Sequence, residues 1–284
     1  MNNQELVREL AYLISQGRME NNLKKFTSFF NRHYKSDSGL EASKWLFNEI
    51  ETMIKVSNAT HISAHKFHHD KWKQFSIIVK FDGVKTDQET VILSAHLDST
   101  AGFFGAYNRA PGADDDGSGS ITVLEVLQIL VQKKFRPNLP VEIHFYSAEE
   151  GGLLGSQDVV SSMKRKNRKI AGTLQIDMDG FNSEDVIALV TDFTNKQLTG
   201  FLKDVAETYT SKDVIETQCG YACSDHASFT KAGYPSTFAI EASFKNTSPF
   251  IHSDKDVVSR IDFPHVEEFV KMALGFVVEM SLQK

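Results

Sequence analysis

Long apolar runs are missing from this sequence: none of its apolar segments approaches the ~20 residues that a membrane-spanning helix needs. Basic runs are missing as well, and the formal net charge is −6. Nucleic acid binds basic surfaces, so it is disfavoured as a partner. These two absences exclude the membrane and nucleic acid from the partners that we expect.

Two further scarcities concern the cellular compartment. Residues 1–8 contain no basic segment followed by an apolar one, so no recognisable secretion signal stands there. Either the protein is cytoplasmic or a signal has been removed. Cys219 and Cys223 are the only cysteines, and a pair this close can form a small disulfide loop in an oxidising compartment. Two reduced thiols fit the spacing equally well, so both alternatives stay open.

What is present is the composition of a soluble globular protein, with 41% hydrophobic and 24% charged residues. Apolar periodicity predicts helices over the first ~55 residues. Beyond them we predict strands at 60–65, 75–81, 91–95, 141–146, 173–176, 186–190 and 235–240, and helices at 121–130, 153–163, 198–209, 225–232 and 263–280. The alternation favours an α/β fold with a mostly parallel central sheet flanked by helices on both faces. Without a visible repeat or linker, residues 1–284 are predicted to form a single domain.

Chemically suitable residues follow three of the predicted strands. His96 follows the strand at 91–95, Glu149 and Glu150 follow the strand at 141–146, and Asp177 follows the strand at 173–176. In open α/β sheets, ligands bind at the carboxyl ends of the strands. We therefore expect these side chains to meet at one edge of the sheet.

The chain carries five candidate metal ligands in sequence order: His96, Asp115, Glu150, Asp177 and His252. Two imidazoles and three carboxylates suit two zinc ions that share one carboxylate and activate a bridging water. Glu149, kept off the metals, is suited to take a proton from that water and pass it to a leaving amine. Asp98 is suited to fix the tautomer of the His96 imidazole. The set predicts a metal-dependent hydrolase.

Each of these signals is weak when taken singly, because short His-x-Asp, Glu-Glu and Asp-Asp-Asp stretches are common in proteins without a metal. The ordered set of five carries the prediction. A dense histidine group, by contrast, is interpreted as surface strand and loop: His61, His65, His68 and His69.

Longer motifs surround the candidate ligands and resemble a known family. They are Ala-His96-Leu-Asp98-Ser-Thr, Pro111-Gly-Ala-Asp-Asp115-Asp-Gly-Ser-Gly, Ala-Glu149-Glu150-Gly-Gly-Leu-Leu-Gly-Ser, Gln-Ile-Asp177-Met and Cys219-Gly-Tyr-Ala-Cys223-Ser-Asp-His. The sequence resembles the M28 family of co-catalytic zinc aminopeptidases, and within it the secreted bacterial leucyl aminopeptidases of the Vibrio/Aeromonas type. The similarity runs from about residue 26 to beyond His252 and implies the zinc-exopeptidase fold, which is phosphorylase/hydrolase-like.

The resemblance implies roles for individual residues. Asp115 would bridge two Zn²⁺ ions, with His96 and Asp177 completing one site and Glu150 and His252 the other. Glu149 would be the general base, and Tyr221 would assist the oxyanion. A disulfide between Cys219 and Cys223 is also implied, which favours a secreted or periplasmic protein, although the cytoplasm is not excluded.

The implied substrates are peptides with a free N-terminus, from which a hydrophobic residue is removed, with leucine preferred. Apolar residues that line the implied pocket are Met178, Phe238, Ile240, Phe244 and Ile251. Among them, Ile240 and Phe238 differ in shape from the groups expected there, and Thr247 stands where an aromatic residue is expected. Leu, Met or Phe remains the expected first residue of the substrate.

Three alternatives remain beside the monomeric aminopeptidase. A glutaminyl cyclase uses one zinc on the same scaffold, whereas this chain retains both sets of ligands. A carboxypeptidase relative usually carries an inserted dimerisation domain, for which 284 residues leave no room. A catalytically inactive binding module should lack ligands or the Glu149 equivalent, and this chain lacks none of them.

Overall fold

The computed structural model describes residues 1–85 and 89–283. Its helices are α1 (Gln4–Ala11), α2 (Gln16–Phe26), α3 (Asp37–Ser57), α4 (Gly117–Gln132), α5 (Leu154–Arg165), α6 (Lys196–Tyr209), α7 (His226–Lys231) and α8 (Phe263–Ser281). Its strands are β1 (Ile62–Phe67), β2 (Ser76–Phe81), β3 (Thr90–His96), β4 (Val141–Tyr146), β5 (Ile170–Ile176), β6 (Val186–Val190), β7 (Asp213–Thr217) and β8 (Ser236–Ile240). Within the described ranges, no helix is both long and apolar enough to span a membrane.

The strands form one mixed sheet in the order β1-β2-β4-β3-β5-β8-β6-β7. The central pairs β4-β3, β3-β5 and β5-β8 are parallel, as is β6-β7 at one edge. Antiparallel pairing joins β1 to β2, β2 to β4 and β8 to β6. The α/β prediction is confirmed, with the parallel strands concentrated where the candidate ligands arise.

Helices cover both faces of this sheet. Alternate side chains of a strand point to opposite faces, so one strand contributes to the apolar core on each side. Ile143 and Phe145 of β4 belong to the larger core cluster, together with apolar residues of α1–α4, α6 and α8. Tyr146 of the same strand packs in a second cluster with Val159 of α5 and Phe229 of α7.

Two features differ from the sequence-based expectations. The edge strand β7 is not among the predicted strands, since it is only partly buried and includes the charged residues Asp213 and Glu216. The interpretation of His69 as a surface residue is wrong, because its side chain is buried and contacts Asp158 and Ser76 through its two ring nitrogens. One of these partners, Asp158, lies 89 residues further along the chain, beyond the reach of a local sequence pattern.

Candidate metal centre

The predicted strand-end residues meet at the carboxyl edge of the sheet. His96 is the last residue of β3, which lies between β4 and β5, and Asp177 directly follows β5. Glu149 and Glu150 follow β4 within a short turn. Asp115 lies just before α4. Because β4, β3 and β5 are parallel neighbours, their C-terminal ends deliver these side chains to one place.

The Asp115 carboxylate lies between two imidazoles. Its Oδ1 is 3.2 Å from Nε2 of His96, and its Oδ2 is 3.0 Å from Nε2 of His252. Glu150 Oε2 lies 3.0 Å from the same His252 nitrogen, and Asp177 Oδ1 lies 3.5 Å from Nε2 of His96. All five predicted ligands are thus brought together, with Asp115 in contact with a histidine on each side.

Two groups of side chains could each hold a metal ion. We call them the His96 cluster (His96, Asp116, Asp177) and the His252 cluster (Asp115, Glu150, His252), and the ligand atoms within each lie within 4.8 Å of one another. Asp116, which the sequence did not suggest as a ligand, already accepts hydrogen bonds from the backbone amides of His96, Gly119 and Met178. Both Asp116 oxygens are thus engaged by backbone amides, whereas Oδ1 of Asp115 lies 3.2 Å from Nε2 of His96.

Several buried polar atoms of the centre have no hydrogen-bond partner among the described residues. They are Nδ1 and Nε2 of His96, Oε1 of Glu150 and Oδ1 of Asp177. A buried polar atom without a partner is costly, so such atoms indicate a ligand. Imidazole nitrogen and carboxylate oxygen are ligands that zinc accepts, and the donor set therefore fits this metal.

The electrostatics of the centre favour bound cations. Burial raises the pKa of Glu149 well above its usual range, as do the neighbouring carboxylates, and burial raises that of Glu150 to about 7. Hydrogen bonds that the His252 imidazole donates to the Asp115 and Glu150 carboxylates raise its pKa to about 11. Burial alone would lower the pKa of His96, but the surrounding carboxylates raise it well above its usual value. The centre holds an excess of negative charge, which protons or metal ions neutralise.

Asp98 contacts both His96 and the turn that carries Glu149 and Glu150. Its Oδ1 lies 3.5 Å from Nδ1 of His96. The same carboxylate accepts hydrogen bonds from the backbone amides of Glu149 (3.0 Å) and Glu150 (3.2 Å). Asp98 thus links the end of β3 to the turn after β4.

An apolar cavity of about 280 Å³ opens beside the ligands. All five residues predicted for the substrate pocket line it: Met178, Phe238, Ile240, Phe244 and Ile251. Thr247 lines it as well, and so does Tyr221, which is 58% exposed and lies edge-on to the Phe244 ring. Cys219 and Cys223 form a disulfide that closes the loop carrying Tyr221.

Sequence reasoning missed several residues that hold the centre in place. Asp256 accepts hydrogen bonds from the backbone amides of Asp114 and Asp115, and Ser224 donates one to Oδ2 of Asp177 at 2.6 Å. Ser224 lies within one of the family motifs and Asp116 within the run of three aspartates, so a sequence motif could have pointed to both. No motif surrounds Asp256, and its partners Asp114 and Asp115 lie more than 140 residues earlier in the chain.

Comparison with known proteins identifies the family to which the chain belongs. Residues 76–277 match the family model described as peptidase family M28. Leucine aminopeptidase 1 of Ajellomyces capsulatus is 44% identical over 97% of this chain and 74% of its own length. The crystal structure of the LapA aminopeptidase of Legionella pneumophila superposes with a TM-score of 0.94 at 29% identity, covering 100% of this chain and 76% of LapA. A glutaminyl cyclase of Porphyromonas gingivalis, at 18% identity over 94% of this chain and 99% of its own, shares the fold alone, with a TM-score of 0.74. The chain belongs to peptidase family M28 and is a peptide hydrolase.

Proposed function

We propose that this protein is a zinc-dependent aminopeptidase that removes hydrophobic residues, leucine above all, from the N-terminus of peptides. The observation that carries the proposal is the Asp115 carboxylate, which presents one oxygen to His96 and the other to His252. That arrangement suits two metal ions with a shared ligand beside an apolar cavity. It argues against a glutaminyl cyclase with one zinc and against an inactive binding module.

Two Zn²⁺ ions would be held by His96 and Asp177 on one side and by Glu150 and His252 on the other, with Asp115 shared. When bound, zinc supplies Lewis acidity, which polarises a peptide carbonyl and makes water more acidic. The buried atoms without partners on His96, Glu150 and Asp177 support this assignment.

Glu149 is the proposed general base. Its side chain is 11% exposed, lies 3.9 Å from Nε2 of His96 and belongs to neither ligand cluster. It also lines the cavity beside the ligands. A carboxylate in that place can accept a proton from the attacking water and donate it to the leaving amine.

The cavity supports the substrate preference. Its apolar lining fits one hydrophobic side chain, and burying a leucine side chain there would contribute ~1.5–3 kcal/mol to binding. The carboxylates that line the cavity, Glu149, Glu150 and Asp177, attract a protonated α-amine. A peptide without a free amine at its first residue loses that attraction.

Two broader proposals accompany this function. The continuous eight-stranded sheet supports one zinc-peptidase domain over residues 1–284. The disulfide between Cys219 and Cys223 supports a secreted or periplasmic location, because such bonds persist in oxidising compartments.

Whether hydrolysis requires a free α-amine on the substrate is a direct test of the proposal. We expect zinc-loaded protein to hydrolyse leucine amide and to leave N-acetyl-leucine amide intact, with activity lost on adding a chelator. Steady-state rates on the two substrates, with and without chelator, provide the measurement. Cleavage of both substrates would contradict an aminopeptidase, and cleavage of neither would direct the search to cyclisation of an N-terminal glutamine peptide.

Tyr221→Phe is expected to lower kcat about tenfold and to leave KM unchanged. The loss should be smaller than the ~10²–10³ found for a buried oxyanion donor, because Tyr221 is 58% exposed and water can replace its hydroxyl. Tyr12→Phe is the matched control, since Tyr12 is 88% exposed and follows α1. If Tyr221→Phe kept the wild-type kcat, the hydroxyl would have no role in turnover and Tyr221 would only line the cavity.

A further inference from the structure

The turn that carries Glu149 begins in a strained conformation. Ala148 has φ of 59°, in the left-handed region, which residues other than glycine rarely adopt because of steric strain. Such strain persists only where the surroundings hold the backbone, and it concentrates at functional sites. Met178 and His252, both at the candidate centre, also have positive φ values. The contacts that hold the Ala148 turn therefore bear on the placement of Glu149.

On one side of Ala148, the backbone is held by Asp98, whose carboxylate accepts the amides of Glu149 and Glu150. On the other side it is held through Ser147. The Ser147 amide donates to Ser76 Oγ at 2.9 Å, and its hydroxyl donates to Gln74 Oε1 at 2.6 Å.

Trp72 completes the contacts of Ser147. The indole Nε1–H of Trp72 donates to Ser147 Oγ at 2.9 Å. Its ring is stacked on the His69 imidazole, with centroids 4.4 Å apart and planes 16° from parallel. We call the side chains of His69, Trp72, Gln74 and Ser76 the Ser147 clamp.

The buried His69 ring holds the other side chains of this clamp in place. Its Nε2 lies 2.8 Å from Ser76 Oγ, and its Nδ1 lies 2.9 Å from Asp158 Oδ2. Asp158, His69 and Ser76 have the connectivity of a hydrolytic triad. However, Ser76 is fully buried and accepts the Ser147 amide, so its hydroxyl is unavailable to a substrate. The arrangement is suited to fixing Ser147 and not to nucleophilic catalysis.

We propose that His69 and Trp72 are positioning residues that act through Ser147 to hold the Ala148 turn and so direct the Glu149 side chain. This inference rests on the proposed function, in which Glu149 is the general base. Neither His69 nor Trp72 lines the catalytic cavity, so their effect on turnover passes through the turn.

The test uses two variants and one control in the zinc-loaded protein. Trp72→Phe removes the N–H donor and keeps a ring against His69, whereas His69→Ala removes the contact to Ser76. His68→Ala is the control, because His68 precedes His69 in the chain and is exposed. For each variant, kcat and KM on leucine amide are measured at saturating zinc, with hydrogen exchange of residues 147–153.

Trp72→Phe and His69→Ala are expected to lower kcat about tenfold or more at unchanged KM, since small displacements of a catalytic group are costly. Amide exchange in residues 147–153 should accelerate in both variants and stay at the wild-type rate in His68→Ala. A role in folding alone would lower the melting temperature and leave kcat per folded molecule unchanged. Wild-type kcat together with wild-type exchange in Trp72→Phe overturns the inference.

Failure of the proposed function is distinguishable from failure of this inference. If wild-type protein does not hydrolyse leucine amide, the function is wrong, and the exchange measurement still decides whether the clamp holds the turn. Unchanged exchange in both variants would then overturn the clamp as well.

Discussion

Glu149→Gln is expected to lower kcat on leucine amide by about 10²–10⁴-fold, the range typical of general acid–base catalysis, while the two proposed zinc ions remain bound. Glutamine keeps the size of the side chain but cannot accept the proton of an attacking water. Glu149 belongs to neither ligand cluster, so metal affinity should depend less on its charge than on the charges of the ligands themselves. Steady-state kinetics at saturating substrate and zinc analysis of the dialysed protein make up the measurement.

The adjacent Glu150→Gln provides the matched comparison. Glu150 Oε2 lies 3.0 Å from Nε2 of His252, so its replacement should lower zinc content and activity together. Two neighbouring glutamates would thus give different losses from the same substitution. If Glu149→Gln lost zinc as Glu150→Gln does, the assignment of Glu149 as a base off the metals would be wrong.

Asp115→Ala is expected to remove most zinc binding and, with it, the stabilisation that zinc gives to the fold. Asp115 is the carboxylate that contacts both His96 and His252, so both proposed sites lose a ligand at once. A ligand at 100 times its Kd stabilises the folded state by about 2.7 kcal/mol per site. Adding a chelator should therefore lower the melting temperature of wild-type protein and leave that of Asp115→Ala unchanged.

Asp254→Ala serves as the control for this experiment, because Asp254 is exposed and lies two residues beyond His252. It should keep the zinc content and the chelator-sensitive melting temperature of the wild type. Retention of two tightly bound zinc ions by Asp115→Ala would remove Asp115 from the shared position.

The central part of the fold could be predicted because burial leaves a clear pattern. Strands β3, β4 and β5 are fully or almost fully buried, so apolar residues predominate in them, and parallel neighbours bring their C-terminal ends together. The convergence of His96, Glu150 and Asp177 follows from that rule alone. The edge strand β7 could not be predicted in this way, because an exposed edge does not require apolar residues.

Other parts of the centre depend on contacts between distant segments, which local patterns do not encode. His69 is polar and was expected at the surface, yet its partner Asp158 lies 89 residues further along the chain. Asp98 was assigned to His96 alone, whereas its carboxylate also accepts the amides of Glu149 and Glu150. Such residues could be identified only once the packing of β2, β3 and β4 was known.

The centre draws its side chains from positions that range from His96 to His252, and this spread has a consequence for synthesis. A chain emerging from the ribosome has made His96, Asp115, Glu150 and Asp177 long before it makes His252. Since domains fold as units, the proposed metal centre is complete only after the chain has been made through His252. Chains that stop before His252 would therefore lack one of the proposed ligands and are expected to be inactive.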